Sequence, residues 1–473
     1  MSRQIALSAT LALTMAFGLA TQTFAGQTYT REDMVKIAME KSSDIKTAEE
    51  DLIQASSKVE AGYGNAYPTI DLNATVTRIF GLDDVKNKKA IQNAYGDLQQ
   101  AYDLTDPSPY DMAAASAIDG LIYGMSKQGY RWQSSVGITA TQILYAAGQI
   151  GTGIEIAKSY KRLSEVKLDN IKSQIRYDVE TAFDQLIYLD SAVAIIEASI
   201  QLTQENLNFV EQALASGLAT ELDQIRVQLA LDGLKSDLES TKKKQILARN
   251  ALLNTAGLEW ESDVQFKGEL RNPDSNLPYP DTAMANVKKR RKELVMLEAS
   301  EDMLSKSVNI EEAGYKPTVV LVGGIKYSNN KNEFYKWDVP DWDKNINKYI
   351  ALNVSMNLFN GMKTKEGVAQ AKSSLRSTQI QKETAERGFR LQIESCANTL
   401  EDAVHQLELQ KRQVELATKN FELTDAAYKI GRETQLNLLS ANMSLRTAKL
   451  NYVQAVLNWN NAYNALLQAT GEY

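Results

Sequence analysis

The sequence predicts a mainly α-helical fold with a β-barrel portion, built as two similar halves of strand, strand and very long helix. Three observations predict it. Two long proline-free stretches carry apolar residues every seven positions. The chain matches itself at a fixed offset. Each half holds a pair of short segments in which apolar and polar residues alternate.

The helices come first. Prolines fall at 68, 107, 109, 273, 278, 280, 317 and 340, which leaves 110–272 and 341–473 without one. An interior proline costs a helix about 3 kcal/mol, so such stretches permit long helices. Val193, Ile200, Leu207 and Leu214 recur every seven residues, as do Leu407, Val414, Phe421 and Tyr428. Leu438, Leu445, Tyr452, Trp459 and Leu466 keep the same period. A seven-residue repeat holds one apolar stripe against a neighbour in a left-handed coil. An ordinary bundle core shows the same spacing, and the length favours the coil. The run from Ile150 to Ser216 would span roughly 100 Å at 1.5 Å per residue.

The offset is 214. It aligns Ala157-Lys158-Ser159 with Ala371-Lys372-Ser373, and Gly217, Thr220 and Leu222 with Gly431, Thr434 and Leu436. Asn250-Ala251-Leu252-Leu253 matches Asn464-Ala465-Leu466-Leu467, and 214–257 shares 11 identities over 44 ungapped positions with 428–471. A second offset, 249, aligns Ile45 with Leu294 and Pro68 with Pro317. The chain is a duplication, with a first repeat over 26–257, a linker over 258–283 and a second repeat over 284–473.

The strands are short. Ile70, Leu72, Ala74 and Val76 alternate with polar neighbours, as do Val136, Ile138 and Ala140. In the second half Val319, Leu321 and Ile325 form a less regular run, while Ile350, Leu352, Val354, Met356 and Leu358 alternate cleanly. Such segments fit an outer-membrane barrel or a soluble sheet with one wet face. Loops over 81–130 and 328–348 separate the paired strands. Phe334, Tyr335, Trp337, Trp342 and Tyr349 in and beside the second, with Tyr130 and Trp132 closing the first, suit membrane interfaces. A bilayer tolerates no open sheet edge, so four membranous strands require several chains in one barrel: two copies make eight strands and three make twelve.

Composition narrows the function. Arg3, the apolar stretch from Ile5 to Ala20 and Thr23-Phe24-Ala25 read as a secretory signal over 1–25, cleaved before Gly26. No later stretch has 18 uncharged apolar residues, so no transmembrane helix is expected. The whole chain carries 52 basic and 59 acidic residues, which argues against nucleic-acid binding. One histidine and one cysteine exclude most metal sites and Cys/His nucleophile pairs, so neither enzyme activity nor a cofactor is expected. Cys396 has no partner for a disulfide.

The duplicated plan, the Pro68 and Pro317 strand entries, and the turns 216–223 and 428–437 together resemble the TolC family of outer-membrane efflux proteins over essentially the whole mature chain. The resemblance implies a homotrimer whose twelve-stranded barrel, four strands per chain, continues into a periplasmic helical coiled-coil tunnel. It implies docking to a periplasmic adaptor (membrane fusion) protein and to an inner-membrane efflux pump or secretion ATPase. The role implied is a passive exit duct in the outer membrane. It also places a periplasmic gate at the two turns. Gly217, Thr220 and Asp223 match the first, and Tyr428, Gly431, Arg432, Thr434, Asn437 and Ser440 the second. The sequence departs from the family pattern at Asn437 and Ser440, where aspartates are usual, and at Glu433, where the gate arginine is displaced to Arg432. The resemblance therefore does not carry cation blockade with it.

The remaining features have plain readings. Gly217 and Gly431 are expected to cap helix ends. Lys288-Lys289-Arg290-Arg291-Lys292 is expected to be the solvated side of a helix start. Gly148-Gln149-Ile150-Gly151-Thr152-Gly153 has the wrong spacing for a phosphate loop and marks a sharp strand-to-helix bend. His405 and Cys396 are expected as packing or surface residues on a long helix. Two readings from other classes are a soluble periplasmic coiled-coil scaffold and a secreted hydrolase. The first leaves four strands unused, and the second has too few polar groups of the right kind.

Overall fold

The computed structural model describes residues 28–80, 131–260, 264–271, 279–331 and 345–473. The signal segment, loop 81–130 and Phe334, Tyr335, Trp337 and Trp342 lie outside the described residues. In chain order the elements are β1 (Thr28–Tyr29), α1 (Arg31–Lys41), α2 (Ser43–Gly64), β2 (Thr69–Arg78), β3 (Trp132–Tyr145), α3 (Gln149–Ala215) and α4 (Glu221–Thr255). There follow β4 (Gln265–Phe266), α5 (Met284–Arg290), α6 (Lys292–Ala313), β5 (Thr318–Lys331), β6 (Ile346–Ser355), α7 (Lys363–Lys429) and α8 (Gln435–Thr470).

The expected order of elements is present in both halves. Helices α3 and α7 are each 67 residues long, and β2 and β5 start one residue after Pro68 and Pro317. Two boundaries differ. Strand β5 runs to Lys331 and β6 begins at Ile346, so both ends of the expected loop 328–348 are strand. Strand β6 ends at Ser355, so Met356 and Leu358 continue the alternation outside the ladder. Period two reports which face a residue takes; it does not report where pairing stops.

The chain divides into two compact units, and each repeat contributes to both. The first comprises residues up to Ala55, Tyr160–Glu301 and Ser377–Tyr473. Its larger core joins Met34, Ala38 and Ile45 to Val179, Phe183, Ile187 and Leu252. A second core sets Val287 against Ile393, Leu400, Trp459, Tyr463 and Leu466. The heptad positions Val193, Leu207, Leu407, Leu438, Leu445, Trp459 and Leu466 are all buried. Helix α3 contains a window apolar enough for a membrane crossing, with 44% of it buried inside the protein. Leu186, Ile187, Leu189, Val193 and Ile196 are part of the buried core, so this is a core helix by packing. The linker contributes β4, which pairs in parallel with β1, and Arg271, which donates to Asn464 and Glu180.

The basic run is solvated only in part: Lys288 and Lys289 are exposed, whereas Arg291 is buried. Lys288 pairs with Glu386 at 2.7 Å, and Arg290 with Asp281 and Glu472 at 2.8 and 2.9 Å. Arg291 is buried, stacks on Phe389 and donates to the Gln468 carbonyl at 2.6 Å; Lys292 donates to Ser173. Arg291 and Lys292 reach the Gln468 and Tyr473 carbonyls at the end of the chain, while Lys288 and Arg290 pair with carboxylates, an arrangement that density of charge in sequence does not reveal. Cys396 packs against the second core, and His405 is exposed.

The second unit, Ser56–Ser159 with Asp302–Arg376, holds a four-stranded antiparallel sheet in the order β2-β3-β5-β6. Its centre is the β3–β5 ladder, which joins the two repeats. The registers set Leu72, Ile138 and Ile325 in line, and Ile70, Ala140, Gly323 and Ile350 in line. One face is therefore mainly apolar, and the other carries Asp71, Asn73, Thr75, Thr139 and Ser135. The apolar face is open: Ile70, Leu72, Ile138, Ile325, Ile350 and Leu352 are each more than half exposed.

Sharp corners lead from the sheet into the long helices. Ala147 and Gly148 both have positive φ before α3, and Gly361 and Met362 both do before α7. Gln149 N–H donates back to the Ala146 carbonyl at 2.9 Å. The glycine-rich run at 148–153 is thus the expected bend.

Candidate functional site: the two helical tips

Each long helix ends in a tip where the chain reverses into α4 or α8. At the first, Gly217 N–H donates to the Leu214 carbonyl at 3.0 Å and Leu218 N–H to Ala213 at 2.8 Å. At the second, Gly431 donates to Tyr428 and Arg432 to Ala427, both at 2.9 Å. These paired bonds are a Schellman motif, which satisfies the last carbonyls and requires a left-handed residue. Gly217 and Gly431 supply it, with φ 70° and 72°.

Three residues on, a threonine caps the returning helix in both tips. Thr220 Oγ1 accepts from Asp223 N–H at 3.2 Å, and Thr434 Oγ1 from Asn437 N–H at 3.3 Å. The chemistry then diverges. The Asp223 carboxylate accepts from Thr220 N–H at 3.2 Å and from Thr220 Oγ1 at 2.6 Å, closing a capping box. Its other oxygen lies 3.7 Å from Arg226. Asn437 does not close a box; its amide donates to Glu433 at 2.6 Å. Arg432 and Ser440 are exposed.

The structure brings Asp223 and Tyr428 into one neighbourhood. Burial first, and the Asp223 charge second, push the Tyr428 hydroxyl above its ordinary value. The Tyr428 ring meets Phe209 edge-on, with centroids 5.7 Å apart and planes at 64°.

Several polar residues on these helices carry no family motif. Asn442 is buried and donates to Thr203 at 3.3 Å; Arg446 pairs with Asp237 at 3.0 Å. Gln435 is 6% exposed, and neither polar atom of its amide has a partner among the described residues. Gln435, Leu438, Asn442 and Leu445 follow the three-four spacing of a coil seam, so their position was the available signal. Among the described residues no group of His, Cys, Asp and Glu is arranged to hold a metal ion.

Paired helical hairpins, each entered through two antiparallel strands, are also the fold of solved outer-membrane channels. The family described as "Outer membrane efflux protein" matches residues 284–472. TolC of Vibrio cholerae is 23% identical over 345 residues, covering 67% of this chain and 77% of its own. Nodulation protein T of Rhizobium leguminosarum bv. trifolii is 21% identical over 394 residues, covering 79% and 82%. The open state of the Neisseria gonorrhoeae MtrE outer membrane channel superposes with a TM-score of 0.73 at 17% identity, over 93% of this chain and 88% of that one. CusC superposes with a TM-score of 0.74 at 13% identity, over 95% and 93%. Residues 284–472 thus match the outer-membrane efflux protein family, and the chain as a whole is similar to TolC-type outer-membrane efflux channels. That likeness carries the role of a transport conduit in the outer membrane, with the long helical region in the periplasm.

Proposed function

We propose that three copies of this chain close into one duct, which passively carries substrates delivered by an inner-membrane transporter and a periplasmic adaptor. The observation that supports it is an incomplete sheet. Four strands present an open apolar face, and β2 and β6 stand at its two ends. Water disfavours such a face and lipid disfavours such edges, and both are resolved when β6 of one copy pairs with β2 of the next. Three copies give twelve strands. The helices carry a matching signal: Leu409, Leu416 and Leu423 repeat every seven residues on α7, Ile430 keeps the period just past its end, and all four are exposed in the single chain. Such a stripe suits a seam with a neighbouring subunit.

In this reading the tips form the gate. Tyr428 and Asp223 hold the closed arrangement, with Gly217, Thr220, Gly431, Arg432, Thr434, Asn437 and Ser440 shaping the turns. Opening moves these tips apart, and energy comes from the transporter.

The test is to separate outer from inner membranes and weigh the detergent-solubilised mature protein, then record its conductance in planar bilayers. A trimer from the outer membrane that forms pores is expected. A soluble monomer without pores would return the chain to the coiled-coil scaffold reading. Tyr428→Phe and Asp223→Ala are expected to raise resting conductance; unchanged values in both would remove these residues from the gate.

A further inference from the structure

A partly open cavity of about 260 Å³ beside Tyr428 is lined by residues near the ends of α3 and α7 and by Leu438 and Asn442 of α8. Its walls contain three aromatic rings, Phe209, Phe421 and Tyr428. Its lining also contains Glu205, Asp425 and Lys429. Two carboxylates face one ammonium, so the lining is formally negative, and that ammonium already pairs with Asp425 at 2.7 Å. Glu205 accepts a neutral bond from Gln201 at 3.2 Å, which leaves its charge uncompensated by that contact.

Aromatic faces attract cations through the ring quadrupole, and the attraction grows when the cation sheds water. A carboxylate in the same lining adds negative charge beside the aromatic rings. An anion meets the wrong sign here, and a neutral apolar molecule gains nothing from the two acids. The volume admits a cation of a few methyl groups or one ring, and Phe209, 48% exposed, stands open to its approach.

We infer that this cavity is a binding site for small quaternary-ammonium-type organic cations, held between the aromatic rings and Glu205 and Asp425. Binding here bridges α3 and α7 at the tip. The site goes beyond the exit-duct reading and does not require it.

The probe is choline, compared with its neutral carbon analogue 3,3-dimethylbutan-1-ol, titrated calorimetrically into the full mature protein in a maltoside detergent. Choline is expected to bind at least about tenfold tighter than the neutral analogue, in keeping with a desolvated cation–π contact. Phe209→Leu keeps apolar bulk and removes one ring, and weakens choline about two- to thirtyfold with little effect on the analogue. Glu205→Gln weakens choline about threefold, and less at high salt. Equal affinity for both probes, no detectable binding, or an unchanged affinity in Phe209→Leu would each overturn the inference. The oligomeric mass and melting temperature of each variant exclude unfolding as the cause. The same preparations are tested for conductance. Pores without choline binding reject this site alone, and choline binding without pores rejects the exit duct alone.

Discussion

The two repeats keep one backbone and diverge in its chemistry, and the divergence differs from place to place. At the tips both halves use the same Schellman motif and threonine cap, yet Asp223 closes a box and Asn437 does not. At the corners both halves place two left-handed residues in succession, but Ala147-Gly148 in one corresponds to Gly361-Met362 in the other. In the core, Glu180 and Asp184 are buried, whereas their equivalents Glu394 and Asn398 are exposed. Duplication thus conserves where the chain turns and leaves free what the side chains do there.

The largest test of this asymmetry is the first repeat's buried charge. Asp184 has no exposed side-chain surface; Arg31 pairs with it and lies over the Phe183 ring at 5.7 Å. Asn464 contributes only a long bond, at 3.5 Å. Arg31→Ala removes the direct ionic partner of a buried carboxylate, leaving only the Arg271 charge and the long Asn464 bond, and is expected to destabilise by about 3 kcal/mol, read as a drop in the thermal unfolding midpoint by circular dichroism in detergent. Asn398→Ala, at the exposed equivalent, is expected to move it by less than about 0.5 kcal/mol. Comparable losses in both would dissolve the distinction between the halves.

The same network sets an acid limit. Burial raises the Glu180 carboxyl, but Arg271 first and Arg176 next outweigh it and hold the group below the usual glutamate range. A lowered folded value means that the stabilisation is complete above the unfolded value of about 4.3 and is lost as pH falls through the folded one. Melting temperature should therefore fall below about pH 4 in the parent and fall less steeply in Glu180→Gln. Parallel curves for the two would remove Glu180 from the acid response.

Much of this architecture was legible in the sequence, because periodicity reports burial directly. Heptads located α3, α7 and α8, the offset of 214 located α4, and Pro68 and Pro317 located the starts of two strands. Strand ends were less legible, since β5 and β6 continue through polar residues such as Asn329, Asn330 and Asn347, whose pairing depends on a partner strand. The basic run was legible only where it is exposed, at Lys288 and Lys289, because the partners of its other members, Glu472 and the Gln468 carbonyl, lie far along the chain. Local pattern placed the tip turns, but no local pattern distinguishes an Asp that caps a helix from one that lines a channel.

The corners give a smaller effect whose sign reverses between equivalent positions. A left-handed conformation costs a side-chain-bearing residue about 1–2 kcal/mol, and glycine avoids it at some cost in unfolded-state entropy. Met362 has φ 66° and is 56% exposed, so little packing depends on its side chain. Met362→Gly and Ala147→Gly are expected to stabilise by about 0.5–1 kcal/mol, while Gly361→Ala and Gly148→Ala destabilise by about 1–2 kcal/mol. Melting the four variants side by side checks the pattern. A loss in both glycine gains would mean that Ala147 and Met362 are held by contacts and not merely tolerated.

The smallest expected effect lies at the tips, and it separates two roles for Asp223. Removing a threonine cap costs about 1 kcal/mol in either half. In the first tip Thr220 and Asp223 share hydrogen bonds in both directions, so the pair Thr220→Ala and Asp223→Ala should couple by about 0.5–1 kcal/mol. In the second, Asn437 turns to Glu433 and its side chain does not return to Thr434. Thr434→Ala and Asn437→Ala should then couple only through the one Thr434–Asn437 backbone bond, and more weakly. Asp223→Asn is the informative single change, because it gives the first tip the side chain that the second already has. It removes the charge facing Arg226 and Tyr428 while keeping an oxygen able to accept from Thr220. If resting conductance rises in Asp223→Ala and in Asp223→Asn alike, the charge holds the tip closed. If it rises only in Asp223→Ala, the cap does, and the aspartate matters at this turn for how it ends the loop and starts α4.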